Sequence, residues 1–175
     1  MSFLFHNKKD VVVNIDMFAS LDRVLHVFEK HMKARKQCKI TEAQGSNVIT
    51  YEYLQESNIS EIVKKTARMA IGDKVESMTD IEMHVTLTKE SEKKQAVAEV
   101  KTITFQDHFN VRFVITFLPN EDDSVVTVQH HIYIHIMGPC AWIPGATIVN
   151  YSQNKSETGL RDDREKEALM LLDGC

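Results

Sequence analysis

The chain has 175 residues, enough for one domain with one sizeable core, because folding at this length removes roughly two-thirds of the unfolded surface from water. Hydrophobic residues at 43% and charged residues at 26% exclude a disordered or membrane-spanning composition. A formal net charge of -4 supplies no basic field to gather nucleic acid, so no nucleic-acid partner is expected.

Cys38, Cys140 and Cys175 show no CxxC or metal-ligand spacing, which suits a reducing compartment, and the cytoplasm is the expected location. Met1 to Lys9 contains only a short apolar run before His6, too short for a signal peptide, and no stretch approaches the ~20 apolar residues of a membrane span. Cys175 is not placed four residues from the end, as prenylation requires.

Val11 to Ile15 is β-branched and predicts a first strand. Ser20 is placed to cap a helix in which Leu21, Val24, Leu25, Phe28 and Met32 recur at helical spacing through about Arg35, with Arg23, Glu29, Lys30, Lys33 and Lys36 on a solvated face. Gln37 to Ala43 and Val48 to Leu54 flank Gly45-Ser46-Asn47, which is hairpin turn chemistry. Ser57 to Ile71 returns to helical period, with Asn58 and Glu61 spaced as a capping box and Gly72 as a stop.

Four alternating segments follow: Met78 to Lys89, Gln95 to Phe105, Phe109 to Leu118 and Ser124 to Ile136, predicting a meander of long antiparallel strands. A one-residue slip would expose a whole apolar set, so the pattern chooses its own register. The inner face then holds Ile81, Met83, Val85, Leu87, Ala96, Ala98, Val100, Val111, Phe113, Ile115, Phe117, Val126, Val128, Ile132, Ile134 and Ile136. The outer face holds Glu82, His84, Glu99, Lys101, Arg112, Thr116, Gln129, His131 and Tyr133. After Met137-Gly138-Pro139 and Ile143-Pro144 a closing helix is expected. Gly159 and the charged run Arg161 to Glu167 interrupt its period, which reads as a broken helix or two short ones, with Arg161–Glu165 and Asp162–Lys166 as supporting i,i+4 pairs.

The order of strand, helix, six further strands with a helical insertion, and closing helix resembles the helix-grip fold of the StAR-related lipid-transfer (START) superfamily. The local match is Gly138 to Asn150, with its Gly-Pro turn, Trp142-Ile143-Pro144 and Ile148-Val149-Asn150, followed by Thr158-Gly159-Leu160-Arg161. This resemblance implies an α+β helix-grip fold: a curved antiparallel sheet of about seven strands wrapped around a long C-terminal helix, in a compact single domain over 1–175. It also implies an apolar cavity gated by the mobile loop 137–144, with Trp142 touching either the guest or, transiently, a membrane interface.

The chemistry-bearing residues are few. His131 and His135 share a strand face but stand about 13 Å apart at ~3.3 Å per residue, and His130 points the other way, so the three do not converge on a metal. His130 is a lone polar ring on the apolar face, either satisfied by backbone or in contact with a ligand. Arg112 is placed outside by the same register. Met69, Met78, Met83 and Met137 would suit a pliable wall as well as an ordinary core. No GxSxG, HExxH, Walker loop or GxGxxG is present, and Cys140 has no partnered base in sequence, so no catalytic residue, metal or cofactor is predicted.

The expected function is binding and transfer of a lipid, sterol or other hydrophobic small molecule, contacted by Met83, Val85, Val100, Phe113, Ile115, Val128, His130, Ile132, Trp142 and Ile148. The alternatives are a cyclase or hydrolase on the same fold, with His130 as general base, and a protein-interaction domain with a solid core.

Overall fold

The alternating segments become strands whose apolar members all point one way. The computed structural model describes residues 6–57, 61–77, 79–104, 106–137 and 146–174. In it β1 (His6–Met17), β2 (Lys36–Glu42), β3 (Val48–Glu56), β4 (Asp80–Glu90), β5 (Gln95–Thr102), β6 (Phe109–Pro119) and β7 (Val126–Met137) form one antiparallel sheet in the order β1-β7-β6-β5-β4-β3-β2. The sheet is curved, with three α-helices, α1 (Leu21–Lys33), α2 (Glu61–Ile71) and α3 (Ala146–Leu172); one 3-10 stretch, Gly72–Ser77, continues α2 and another, Ser91–Lys93, joins β4 to β5.

The register carries one apolar row across six strands, from Tyr51 through Val85, Val100, Phe113 and Ile132 to Val11. The neighbouring row on the other face reads Glu52, His84, Lys101, Arg112, Tyr133 and Asp10, a polar ladder of mixed charge. Arg112 therefore lies outside, its guanidinium 4.6 Å from the centre of the Tyr133 ring. β1 extends beyond the β-branched Val11 to Ile15, because Lys8, Lys9 and Asp10 continue the ladder opposite β7 with polar side chains.

Two helix expectations need correction. Ser20 sits at the start of α1 with extended backbone but makes no side-chain cap. The Leu21 amide instead donates to Asp123 Oδ1 at 2.8 Å, from the β6–β7 turn 102 residues away. That turn is braced by Asn120, whose Oδ1 accepts from the amides of Ser124 at 2.9 Å and Val125 at 3.1 Å. α3 is not broken: it runs 27 residues through Gly159 and the charged stretch. Gly159 breaks nothing because a helix interior tolerates one glycine at a cost of about 1 kcal/mol. The pairs Arg161–Glu165 and Asp162–Lys166 are not formed among the described residues; other charged members of this stretch turn inward.

Two apolar clusters occupy the concave side. The first joins α1 to the sheet, with Phe28 edge-on to Phe117 at 5.2 Å and Met32, Tyr51, Val85, Leu87, Val126 and Val128 around them. The second joins α3 to β1 and β7 through Val13, Ile132, Ile134, Ile136, Val149 and Leu160. Along β7 the inward residues pass from Val128 in the first cluster to Ile132 in the second, and the residue between them is His130.

If the cross-chain cap holds the start of α1, Asp123→Ala should lower stability in urea unfolding by about 1 kcal/mol, while Ser20→Ala should cost well under half of that.

Candidate functional site

Between the two clusters lies a cavity of about 490 Å³. α3 packs along β1, β7 and α1, so the inner faces of β3 to β6 are left partly uncovered, and the space opens there. Its walls are mainly apolar: Phe28 and Met32 from α1, Ala67 from α2, Val75 after it, Met83 and Val85 from β4, Val100 from β5, Phe113 and Ile115 from β6, and Leu160 from α3. At one end Gln55 and Glu56, both exposed, form a polar rim.

Of the residues singled out from sequence, Met83, Val85, Val100, Phe113, Ile115 and His130 line this cavity. Val128 and Ile132 do not: they are fully buried in the first and second clusters, one on each side of it. Both point inward as expected, but α1 and α3 cover them. Trp142 and most of the loop 137–144 lie outside the described residues, as does the side chain of Ile148. Met69 is 86% exposed and belongs to no wall.

The polar end of the cavity was not legible in the sequence. Arg164 and Glu167, inside the charged run that interrupts the helical period in the sequence, are 3% and 0% exposed. Glu167 Oε1 accepts from His31 Nδ1 at 2.9 Å and from Arg164 Nη2 at 2.8 Å. Arg35, just past α1, donates to Asp163 at 2.6 Å, and His31 Nε2 stands 3.9 Å from the same carboxylate. Two acids and one base of α3 thus meet two basic side chains from α1 and its C-terminal extension. The guanidinium of Arg164 lies 5.2 Å from the centre of the Phe28 ring, and that of Arg35 lies 5.4 Å from Tyr53. Burial raises the Tyr53 hydroxyl to about 12, so it stays protonated.

His130 combines the two readings that the sequence left open. Its Nδ1 donates to the Val13 carbonyl at 3.3 Å, while Nε2 is buried without a partner among the described residues. The ring is lowered from 6.5 to about 4, first by burial and then by the positive charge of Arg164. At neutral pH it is an uncharged acceptor. Arg164 Nε and Nη1 are likewise buried without partners among the described residues. At this end the mainly apolar cavity is therefore bordered by one lone-pair acceptor, His130, and the charged donor group of Arg164, with serines, threonines, and Lys155 and Asp162 of α3 also in its lining.

The outer-face histidines are separate from this site. His131 stacks on Tyr133 at 4.1 Å, and His84 pairs with Glu82 at 2.8 Å. Among the described residues no group of three His, Cys, Asp or Glu is placed to hold a metal ion, and no described helix is long and apolar enough to cross a membrane.

No protein-family model matches the chain, and no curated protein matches it in sequence. Among solved structures, norcoclaurine synthase from Thalictrum flavum aligns with a TM-score of 0.56 at 13% identity, over 95% of this chain and 94% of that one. A protein from Thermus thermophilus aligns with a TM-score of 0.56 at 10% identity, over 93% and 99% of the two chains. A protein from Rhizobium leguminosarum aligns with a TM-score of 0.56 at 7% identity, over 97% and 99%. At such identities the likeness is one of architecture, and the architecture is the helix-grip fold.

Because native His130 resists protonation down to about 4 while the unfolded ring takes up its proton near 6.5, the unfolded state binds more protons between those values. The contribution of neutral His130 should be complete above pH 6.5 and fall by up to roughly 3 kcal/mol on acidification towards pH 4. Chemical denaturation across this window should show the wild type losing stability relative to His130→Leu, with no such divergence between pH 7 and 8.

Proposed function

We propose that the chain holds a hydrophobic small molecule of the lipid or sterol class in the cavity between the sheet and α3, as a START-like carrier in the cytoplasm. The observation that carries this reading is the cavity itself, about 490 Å³ with mainly apolar walls, which is within the range that encloses drug-sized guests. Met83, Val85, Val100, Phe113, Ile115 and His130 are the proposed contacts. Support also comes from the norcoclaurine synthase structure solved with dopamine and hydroxybenzaldehyde, a small-molecule complex in the same architecture. Passage of the guest would use the loop 137–144, with Trp142 as its contact to guest or membrane.

A second reading, a cyclase or hydrolase with His130 as general base, draws on the unpartnered Nε2 facing a substrate-sized space. A ring lowered to about 4 is poorly matched to taking a proton at neutral pH, which favours the carrier. A protein-interaction domain required a solid core, and the cavity argues against it.

Native mass spectrometry of the purified protein, with sterols, phospholipids and fatty acids added in turn, tests the carrier. A one-to-one complex is expected with at least one of them. Val100→Phe, which grows a side chain from β5 into the open space, should reduce that binding tenfold or more while leaving the unfolding midpoint within a few degrees. Wild-type protein that stays empty with every class would contradict the reading, and turnover of the added molecule would favour the enzyme.

A further inference from the structure

Resting on the binding role proposed above, we infer that the guest of this cavity carries a hydroxyl group, an alcohol or a phenol, seated between His130 Nε2 and the free guanidinium nitrogens of Arg164. Both side chains line the cavity and both are buried, at 0% and 3% exposure. Each has spent part of its hydrogen-bonding capacity on the protein, and the remainder lacks a partner among the described residues.

The remaining capacity is specific. Nδ1 of His130 is committed as donor to the Val13 carbonyl, so in the neutral ring Nε2 has a lone pair and no hydrogen. Nη2 of Arg164 is committed to Glu167, which leaves Nε and Nη1, and a guanidinium nitrogen only donates. A guest group serving both must donate once and accept at least once. A hydroxyl does so from a single atom, giving its hydrogen to Nε2 and its lone pairs to Arg164.

Ethers, ketones, ammonium groups and carboxylates serve only one side, and a carboxamide serves both only from two separate atoms. An ether or ketone accepts from Arg164 but leaves Nε2 unmet. An ammonium donates to Nε2 but meets the guanidinium charge. A carboxylate gains less than Arg164 alone would suggest, because Glu167 already holds that guanidinium at 2.8 Å and Asp163 is matched by Arg35 at 2.6 Å. Arg164 and Arg35 are thus each already met by a carboxylate, while His31 and the lining Lys155 keep basic groups near, so titration with a naphthoate separates a hydroxyl site from an anion site. Burial, helped by the positive charge of Arg164, keeps the ring neutral and thereby keeps Nε2 an acceptor.

Position adds direction. His130 and Arg164 are enclosed, whereas Gln55 and Glu56 are exposed, so the hydroxyl enters first and the apolar body lies against Phe113, Ile115 and Val100. An unmet buried polar group costs about 1–3 kcal/mol, which makes a hydroxyl worth tenfold or more in affinity over an apolar group of the same size.

The test uses 2-naphthol, its near-isostere 2-methylnaphthalene and 2-naphthoate, titrated against the full chain at pH 7 with naphthyl fluorescence as readout. The naphthol should bind at least tenfold more tightly than 2-methylnaphthalene. In His130→Leu that preference should shrink to about twofold, and Arg164→Lys, which keeps a cation for Glu167, should shrink it also. Equal affinity for naphthol and 2-methylnaphthalene would overturn the hydroxyl site while leaving the binding role intact. Tightest binding of naphthoate would overturn it in favour of an anion site. Binding of none of the three would remove this inference, whereas the binding role then stands or falls on the lipid titrations by mass spectrometry.

Discussion

The fold's interior turns on a buried ionic clasp. His31 and Arg35 come from α1 and its end, Asp163, Arg164 and Glu167 from α3, and the bonds between them run from 2.6 to 2.9 Å. His31, Arg35 and Asp163 are only partly buried, whereas Arg164 and Glu167 are fully buried, where charges are expensive to desolvate. Removing one partner of a fully buried pair typically costs about 3–5 kcal/mol because the other is stranded. The clasp is therefore an exacting way to join two helices. An apolar contact would hold them as well, but it would not fix which turn of α3 meets which turn of α1.

That fixed meeting explains the cavity. With α3 tied to α1 on one side and packed on β1 and β7 on the other, it does not sink onto β4 and β5, and two apolar clusters form with a space between them. Glu167 takes one side of the Arg164 guanidinium and leaves the other side for the space, while Phe28 supports the guanidinium plane. His130, on the opposite wall, sits where the inner row of β7 passes from one cluster to the other. Structure and chemistry thus share residues: Arg164, which binds the clasp residue Glu167 and lies against Phe28 of α1, also lines the cavity, and its charge adds to burial in keeping His130 neutral.

The sheet was legible in the sequence because its signal is local and repeated. Strict alternation in β4 to β7 allows only one inward set, so Val85, Val100, Phe113 and Ile132 fall in a row across four strands as that pattern requires. The solitary polar ring at His130 was visible for the same reason. The helix contacts were not legible, because they depend on partners far away in the chain. Asp123 caps α1 from 102 residues away, which left Ser20 as the only visible candidate. The run with Arg164 and Glu167 reads as an interruption because inward-facing charges erase the apolar periodicity that marks a buried helix face, and His31 and Arg35 show where they point. Val128 and Ile132 were placed on the correct face, but which inward residues border open space depends on where the helices land.

Filling the space with an inert gas tests the central claim, an open apolar cavity held between two cores by the clasp. A crystal of the protein pressurised with xenon should bind the gas between Phe28, Val100 and Leu160, as dry apolar cavities do. A crystal with no xenon there, in which Met32 and Met83 have closed the gap and α3 lies directly on β4 and β5, would contradict the account.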